Sequence, residues 1–176
     1  MRDILIVIDM QNDFIDGSLG TSEAVSIVSH VAEEMRKPYS KVYLTMDTHN
    51  DNYLQTSEGK FLPVEHCIKN TEGWKLCDSV NEALKDIPDY EIYLKPTFGC
   101  EELAKRLKED NEEDTIDSIT LVGLCTDICV VSNALLIKAA LPETPIRVLK
   151  ECCAGVTVDS HEAALTTMKM CQIVIE

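Results

Sequence analysis

Several residues able to do chemistry stand directly after short apolar runs. Ile4–Ile8 is followed by Asp9 and then Met10-Gln11-Asn12-Asp13-Phe14, and Ile92–Leu94 by Lys95. Ile119–Val122 is followed by Gly123-Leu124-Cys125-Thr126-Asp127-Ile128-Cys129. An acid, a cation and a thiol are the parts of an activated nucleophile: the acid accepts the thiol proton and the cation offsets the charge left behind. Cys129 has the best local environment. Thr126 is the expected N-cap, which sets Cys129 at the third helical position, where free amides and the helix dipole favour a thiolate. Lys95 lowers the thiol pKa further in this reading, and the amides of the same turn can hold an oxyanion. Cys125, one turn earlier, competes on spacing alone, and either thiol could instead be a small packed side chain.

A second group follows the run Val42–Met46. Asp47-Thr48-His49 places a carboxylate and an imidazole two residues apart, His66 lies further along, and Glu58 is a possible fourth donor. Mixed imidazole and carboxylate donors suit zinc, iron(II) or manganese(II). The other histidines read differently, His30 as a surface residue and His161 as a cap or packing residue at a helix start. Cys67, Cys77, Cys100, Cys152, Cys153 and Cys171 have no partner at ligand spacing and read as structural, with one of Cys152-Cys153 at the site rim and the other in the core. No glycine turn matches a dinucleotide or phosphate-loop pattern.

These residues must be held by something, and the periodicity says what. Apolar runs at Ile4–Ile8, Val42–Met46, Ile92–Leu94, Ile119–Val122, Ile146–Leu149 and Ile173–Ile175 are strand-length. Helix-like stretches lie between most of them: Ser22–Lys37, with Val25, Val28, Val31, Ala32 and Met35 on one face, then Glu101–Glu109, Asp127–Ala140 and Asp159–Met170. Alternation of this kind implies a mostly parallel six-stranded sheet covered on both faces, a three-layer α/β/α sandwich of Rossmann-like type formed by residues 1–176 as one domain. Such sheets bind ligands beyond the carboxyl ends of their strands, where the acid, the cation and the thiol all stand. Asp47 to Glu72 lacks periodicity and reads as a functional or disordered loop; Asn111-Glu112-Glu113-Asp114 reads as a solvated turn.

The chain has 176 residues, 31 acidic against 16 basic side chains, a net charge of −15 and eight cysteines. The acidic balance disfavours nucleic acid or an anionic membrane as partner. Met1-Arg2-Asp3 runs straight into a strand-length apolar segment, too short for an export signal or a membrane span, so reduced cysteines in a cytoplasmic protein are expected.

On these motifs the sequence resembles the isochorismatase-like cysteine hydrolases, nicotinamidase branch, over nearly its whole length. Ile8-Asp9-Met10-Gln11-Asn12-Asp13-Phe14 is similar to the opening motif with the catalytic aspartate. Lys95, in Leu94-Lys95-Pro96-Thr97-Phe98-Gly99, falls at the family's lysine, and Gly123–Val130 is similar to the nucleophile motif, whose last cysteine is Cys129. The resemblance selects Cys129 over Cys125. It also implies a cis Leu124–Cys125 peptide, an oxyanion hole from the amides of Cys125 and Cys129, and substrate contacts from Phe14 and Leu124. Asp47-Thr48-His49 and Pro63-Val64-Glu65-His66-Cys67 are similar to the metal motif, implying a divalent ion, zinc first and Fe2+ or Mn2+ next, on Asp47, His49, Glu58 and His66. Asn70 replaces the usual glycine, and Leu62 stands where a ring-stacking tryptophan is common. The implied activity is hydrolysis of a small amide such as nicotinamide through a cysteine thioester, within pyridine nucleotide biosynthesis, by a homo-oligomer. A carbamoyl amidohydrolase, a vinyl-ether hydrolase or a non-catalytic thiol- or metal-binding member of the fold are the alternatives.

Overall fold

The computed structural model describes residues 1–176. In chain order the elements are β1 (Asp3–Ile8), α1 (Asn12–Ile15), α2 (Ser22–Met35), β2 (Lys41–Asp47), α3 (Ser57–Phe61), α4 (Asp78–Leu84), β3 (Tyr90–Lys95), α5 (Glu101–Glu113), β4 (Ser118–Leu124), α6 (Val131–Ala140), β5 (Ile146–Ala154), α7 (Val158–Met170) and β6 (Val174–Ile175). The strands form one sheet in the order β3-β2-β1-β4-β5-β6, every pairing parallel. The expected three-layer sandwich is therefore present, with the sheet wholly parallel. Strand order reverses direction between β1 and β4, and the crevice at such a switch point is where open α/β sheets take ligands.

The two sheet faces build two apolar layers. Alternate residues of β1 divide between them: Ile4, Ile6 and Ile8 pack with α5, α6 and α7, while Leu5 and Val7 pack with α2 and α4. Burial on both faces explains why β1 reads as an unbroken apolar run and β4 as an almost continuous one, broken by Thr120. β3 departs from this pattern, because as an edge strand it leaves Tyr90, Ile92 and Leu94 partly exposed while burying Lys95.

Several boundaries differ from the sequence reading. Thr21, not Ser22, caps α2, accepting from the Ala24 amide at 3.0 Å, and Val25 faces solvent while Ala24, Ile27, Val31 and Met35 face the core. α5 runs through the acidic segment to Glu113 rather than ending in a turn there. Asp110 on its inner face is buried against Arg2 and Arg106, and the Arg2 guanidinium donates to the Asp110 carbonyl at 2.8 Å, which holds the last turn. β5 continues beyond the apolar run to Ala154, and α4 is a two-turn helix that burial of Val80, Ala83 and Leu84 sustains. The aperiodic loop contains α3 and a single 3₁₀ turn at Tyr53–Gln55. No helix is long and apolar enough to cross a membrane.

Gly123 is the position where β4 must pass close to β1. Its φ is +118°, and a Cβ there would sit 2.1 Å from the Ile8 carbonyl oxygen. Gly123→Ala is expected to destabilise the fold by about 3 kcal/mol, combining backbone strain with overpacking. In a chain of this length that lowers the melting temperature by roughly 6–12 °C. An unchanged melting curve would show that the strands can separate here without loss.

Candidate active site

Asp9 is the first residue past β1 and takes a left-handed backbone conformation, φ +47°. Its amide donates to the Thr45 carbonyl (3.1 Å), and its Oδ1 accepts from the Thr45 hydroxyl (2.7 Å). Oδ2 lies 2.6 Å from Nζ of Lys95. Lys95 closes β3 as the register partner of Asp47 at the end of β2, so strand pairing itself sets the cation beside the metal-ligand loop. Its Nζ also lies 3.4 Å from Cys129 Sγ, 3.1 Å from the Thr97 carbonyl and 3.7 Å from Asp47 Oδ1. Asp9 and Lys95 are 0% and 1% exposed, so neither charge is tolerable without the other.

Burial dominates the electrostatics of this group. Burial, followed by the Asp9 carboxylate, pushes the Cys129 thiol well above its ordinary pKa, and Lys95 only partly opposes this. Desolvation thus opposes the helix dipole that favours a thiolate at Cys129. Burial also raises the Asp9 pKa against the pull of Lys95, which makes Asp9 a stronger base. Burial works against the Lys95 charge, but Asp9 and its neighbours hold its pKa above the ordinary lysine range. The site therefore joins a thiol of raised pKa, a carboxylate of raised basicity and a buried ammonium.

The turn carrying Cys129 is also built differently from expectation. The Leu124–Cys125 peptide is cis, as the resemblance implies. Residues Thr126–Val130 form a π turn that leads into α6, and Cys125 rather than Thr126 holds the cap position. The wider turn leaves Thr126 buried, its hydroxyl 2.8 Å from Nδ1 of His161 on α7. Asp127 accepts from the Val156 amide at 3.1 Å and from the Ser160 hydroxyl, so the segment before α7 and the first turn of α7 both hold the turn. On the inner side Asn133 donates to the carbonyls of Cys129 (2.8 Å) and Phe98 (3.0 Å) and accepts from the Cys100 amide (2.9 Å).

Asp47, His49, Glu58 and His66 come together as the sequence expected, with ligand atoms all within 4.8 Å of one another. Nε2 of His49 and of His66 lie 2.9 and 3.4 Å from Asp47 Oδ2, and 3.7 and 3.6 Å from Glu58 Oε1. Nδ1 of His66 lies 2.8 Å from the Val64 carbonyl, which fixes the tautomer that directs Nε2 inward. The Tyr53 ring packs on both imidazoles, with centroids 4.7 and 4.9 Å away. Burial raises the Asp47 pKa, but the two imidazoles more than offset this and hold it below the usual carboxylate range; burial and Asp47 raise that of Glu58. Two imidazoles and two carboxylates converging in a half-dry recess fit a divalent transition metal.

A cavity of about 510 Å³ connects the two groups. Cys125, Cys129 and Ile128 line one side, Asp47, Glu58 and His66 another, with Phe14, Leu62 and Phe98 between. Phe14 thus stands where a substrate contact was expected, its ring 5.5 Å from that of His66. Leu124 does not reach the cavity; strand alternation sends it with Val122 into the apolar layer under α2. Cys152 and Cys153 are both buried, one in each apolar layer, so neither forms the site rim. All eight cysteines are unpaired, and Cys171 alone is exposed.

Thr45 and Gln11 were not singled out by the sequence reading. Gln11 is buried, accepts from the Asp47 amide at 2.7 Å and donates to the Asp47 and Trp74 carbonyls at 2.8 Å. The available signal was a polar residue inside or directly after a buried strand: Thr45 interrupts Val42–Met46, and Gln11 sits inside the opening motif.

Comparison with known proteins follows the same lines. The isochorismatase domain family matches residues 3–176. The chain is 26% identical over 179 residues to the nicotinamidase/pyrazinamidase of Mycobacterium tuberculosis, covering 96% of this chain and 95% of that one. It is 25% identical over 175 residues to the nicotinamidase of Saccharomyces cerevisiae, covering 74% and 79%. The crystal structure of a nicotinamidase/pyrazinamidase from Bacillus subtilis superposes with a TM-score of 0.83 at 26% identity, covering 99% of both chains. That of the Pyrococcus horikoshii pyrazinamidase in complex with zinc gives 0.76 at 25% identity, covering 100% of this chain and 99% of that one. With a domain match across essentially the whole chain, on a fold whose strand ends bring Asp9, Lys95 and Cys129 together, the chain belongs to the isochorismatase domain family.

Proposed function

We propose that this chain is a cysteine amidohydrolase of nicotinamidase type, converting a small neutral aromatic amide and water to the carboxylate and ammonia. The observation that carries this reading is the Lys95 ammonium, 2.6 Å from Asp9 and 3.4 Å from Cys129, with Cys129 on the wall of a cavity that Asp47, Glu58 and His66 also line. Asp9 takes the Cys129 proton as sulfur attacks the amide carbon, and Lys95 balances the charge shared by the carboxylate and the developing thiolate. The amides of Cys125 and Cys129 receive the oxyanion. The C–N bond breaks as Asp9 returns the proton to the leaving nitrogen, releasing ammonia and leaving a thioester. Asp9 then takes a proton from the incoming water, and collapse of the second tetrahedral adduct frees the acid and restores the thiol.

Asp47, His49, Glu58 and His66 would hold the divalent ion, for which zinc is the first choice and Fe2+ or Mn2+ the others; when bound it supplies a Lewis acid at that wall. Phe14 packs behind His66 and offers its ring to the substrate. Away from the proposed ion site the cavity lining carries the Asp127 carboxylate and no lysine or arginine, which favours a neutral amide over the anionic substrate of a vinyl-ether hydrolase. Unpaired thiols throughout fit a reducing cytoplasm, and a homo-oligomer is part of the reading, to be measured by sedimentation.

An ammonia-release assay over nicotinamide, pyrazinamide and small carbamoyl compounds tests the class; turnover of carbamoyl compounds alone would replace the aromatic-amide reading. Chelation is expected to remove most of the activity and to lower the melting temperature, because an ion bound only by the folded chain stabilises it by mass action. Zinc should restore both. Full activity and an unchanged melting curve in the chelated protein would remove the metal from the reading.

A further inference from the structure

The cavity continues past the reacting centre into space that a lone ring amide leaves empty. Its 510 Å³ falls within the range of about 300–1,000 Å³ typical of sites that enclose drug-sized ligands. Its outer part is lined by Leu19, Phe61, Phe98 and Val156. Three of these are large apolar residues held in water: Phe61 is 94% exposed, Val156 51% and Phe98 43%. Single exposed apolar side chains need no explanation, but several of them lining the cavity that also holds Cys129 mark a ligand surface.

These residues are tied to the machinery. Phe61 ends the short α3 whose Glu58 faces the imidazoles, so one element supplies both a donor and the rim. The Phe98 carbonyl is held by the same Asn133 amide group that holds the Cys129 carbonyl. The one acid on the outer wall, Asp127, is occupied by the Val156 amide and the Ser160 hydroxyl. No cation is present there to receive an anionic substituent.

We propose that the preferred substrate is a neutral aromatic amide bearing an apolar substituent away from the carboxamide, with Phe61, Phe98 and Val156 enclosing that substituent. The inference rests on the amidohydrolase reading, and binding separates the two. Calorimetric titration of the zinc-supplied Cys129→Ala protein compares nicotinamide with 5-phenyl- and 6-phenylnicotinamide. At least one phenyl isomer is expected to bind about tenfold tighter or more, the effect of adding apolar volume to a fitting pocket. The advantage should fall several-fold in a Cys129→Ala/Phe61→Ala protein, where an exposed side chain is removed from the surface. Equal or weaker binding of both isomers overturns the proposal, as does an advantage untouched by Phe61→Ala and by Phe98→Ala. A rim closed by a second copy of the chain would give the first of these results. Ammonia release by the Cys129-containing protein is scored separately: a binding preference without turnover of any amide rejects the amidohydrolase reading and keeps the substituent pocket, whereas turnover of nicotinamide without the preference does the reverse.

Discussion

Cys129→Ala should abolish ammonia release, on the order of a 10⁴-fold loss, the scale set by removing one member of a nucleophile–base pair. The thiol is the one sulfur within reach of both the base and the fixed cation, with Sγ 3.4 Å from Lys95 Nζ. Its small volume makes the substitution mild for the core, so circular dichroism and the melting curve should stay close to the parent. Cys125→Ala is the matched control. That thiol borders the same cavity, but burial and the nearby Asp127 push its pKa up to about 12, and it has no hydrogen bond to Asp9 or Lys95. It should leave a folded protein with part of its activity, because the proposed oxyanion donor is the backbone amide, which alanine keeps. Activity of Cys129→Ala equal to that of the parent would end the thioester mechanism.

The roles of particular residues show what could be read from sequence and what could not. The positions of Asp9 and Asp47 at strand ends, and of Cys129 in the turn after β4, were legible because parallel strands buried on both faces leave largely apolar runs whose ends are easy to find. β3 was found from only three apolar residues, since an edge strand keeps one face wet. The grouping of Asp47, His49, Glu58 and His66 came from ligand types, yet Glu58 depends on α3, a five-residue helix with too few residues for a period. The desolvation of the Cys129 thiol was not legible, because dipole and spacing are local, whereas burial comes from layers packed around it from distant segments. The Thr45–Asp9, Asn133–Phe98 and Thr126–His161 contacts are long-range hydrogen bonds between ordinary residue types, and only the fold shows which polar groups meet.

Asp9 and Lys95 invite a test that separates structure from catalysis. Asp9→Asn keeps the size of the side chain and removes the base, so activity should fall by about 10²–10⁴. Lys95→Met should do more harm to the fold, because it leaves the Asp9 and Asp47 carboxylates facing each other with the cation gone. Breaking a buried pair on one side costs about 3–5 kcal/mol, and in a chain of this length that lowers the melting temperature by roughly 6–20 °C. The double variant Asp9→Asn/Lys95→Met replaces the pair with neutral groups of similar size and should recover much of that loss, since no unpaired charge remains at position 9. It should recover no activity. Melting curves for the four proteins give the coupling, and ammonia release measured beside them gives the chemistry. Strictly additive melting losses would mean that the 2.6 Å contact stabilises nothing, and activity in the double variant would mean that neither group takes part in the reaction.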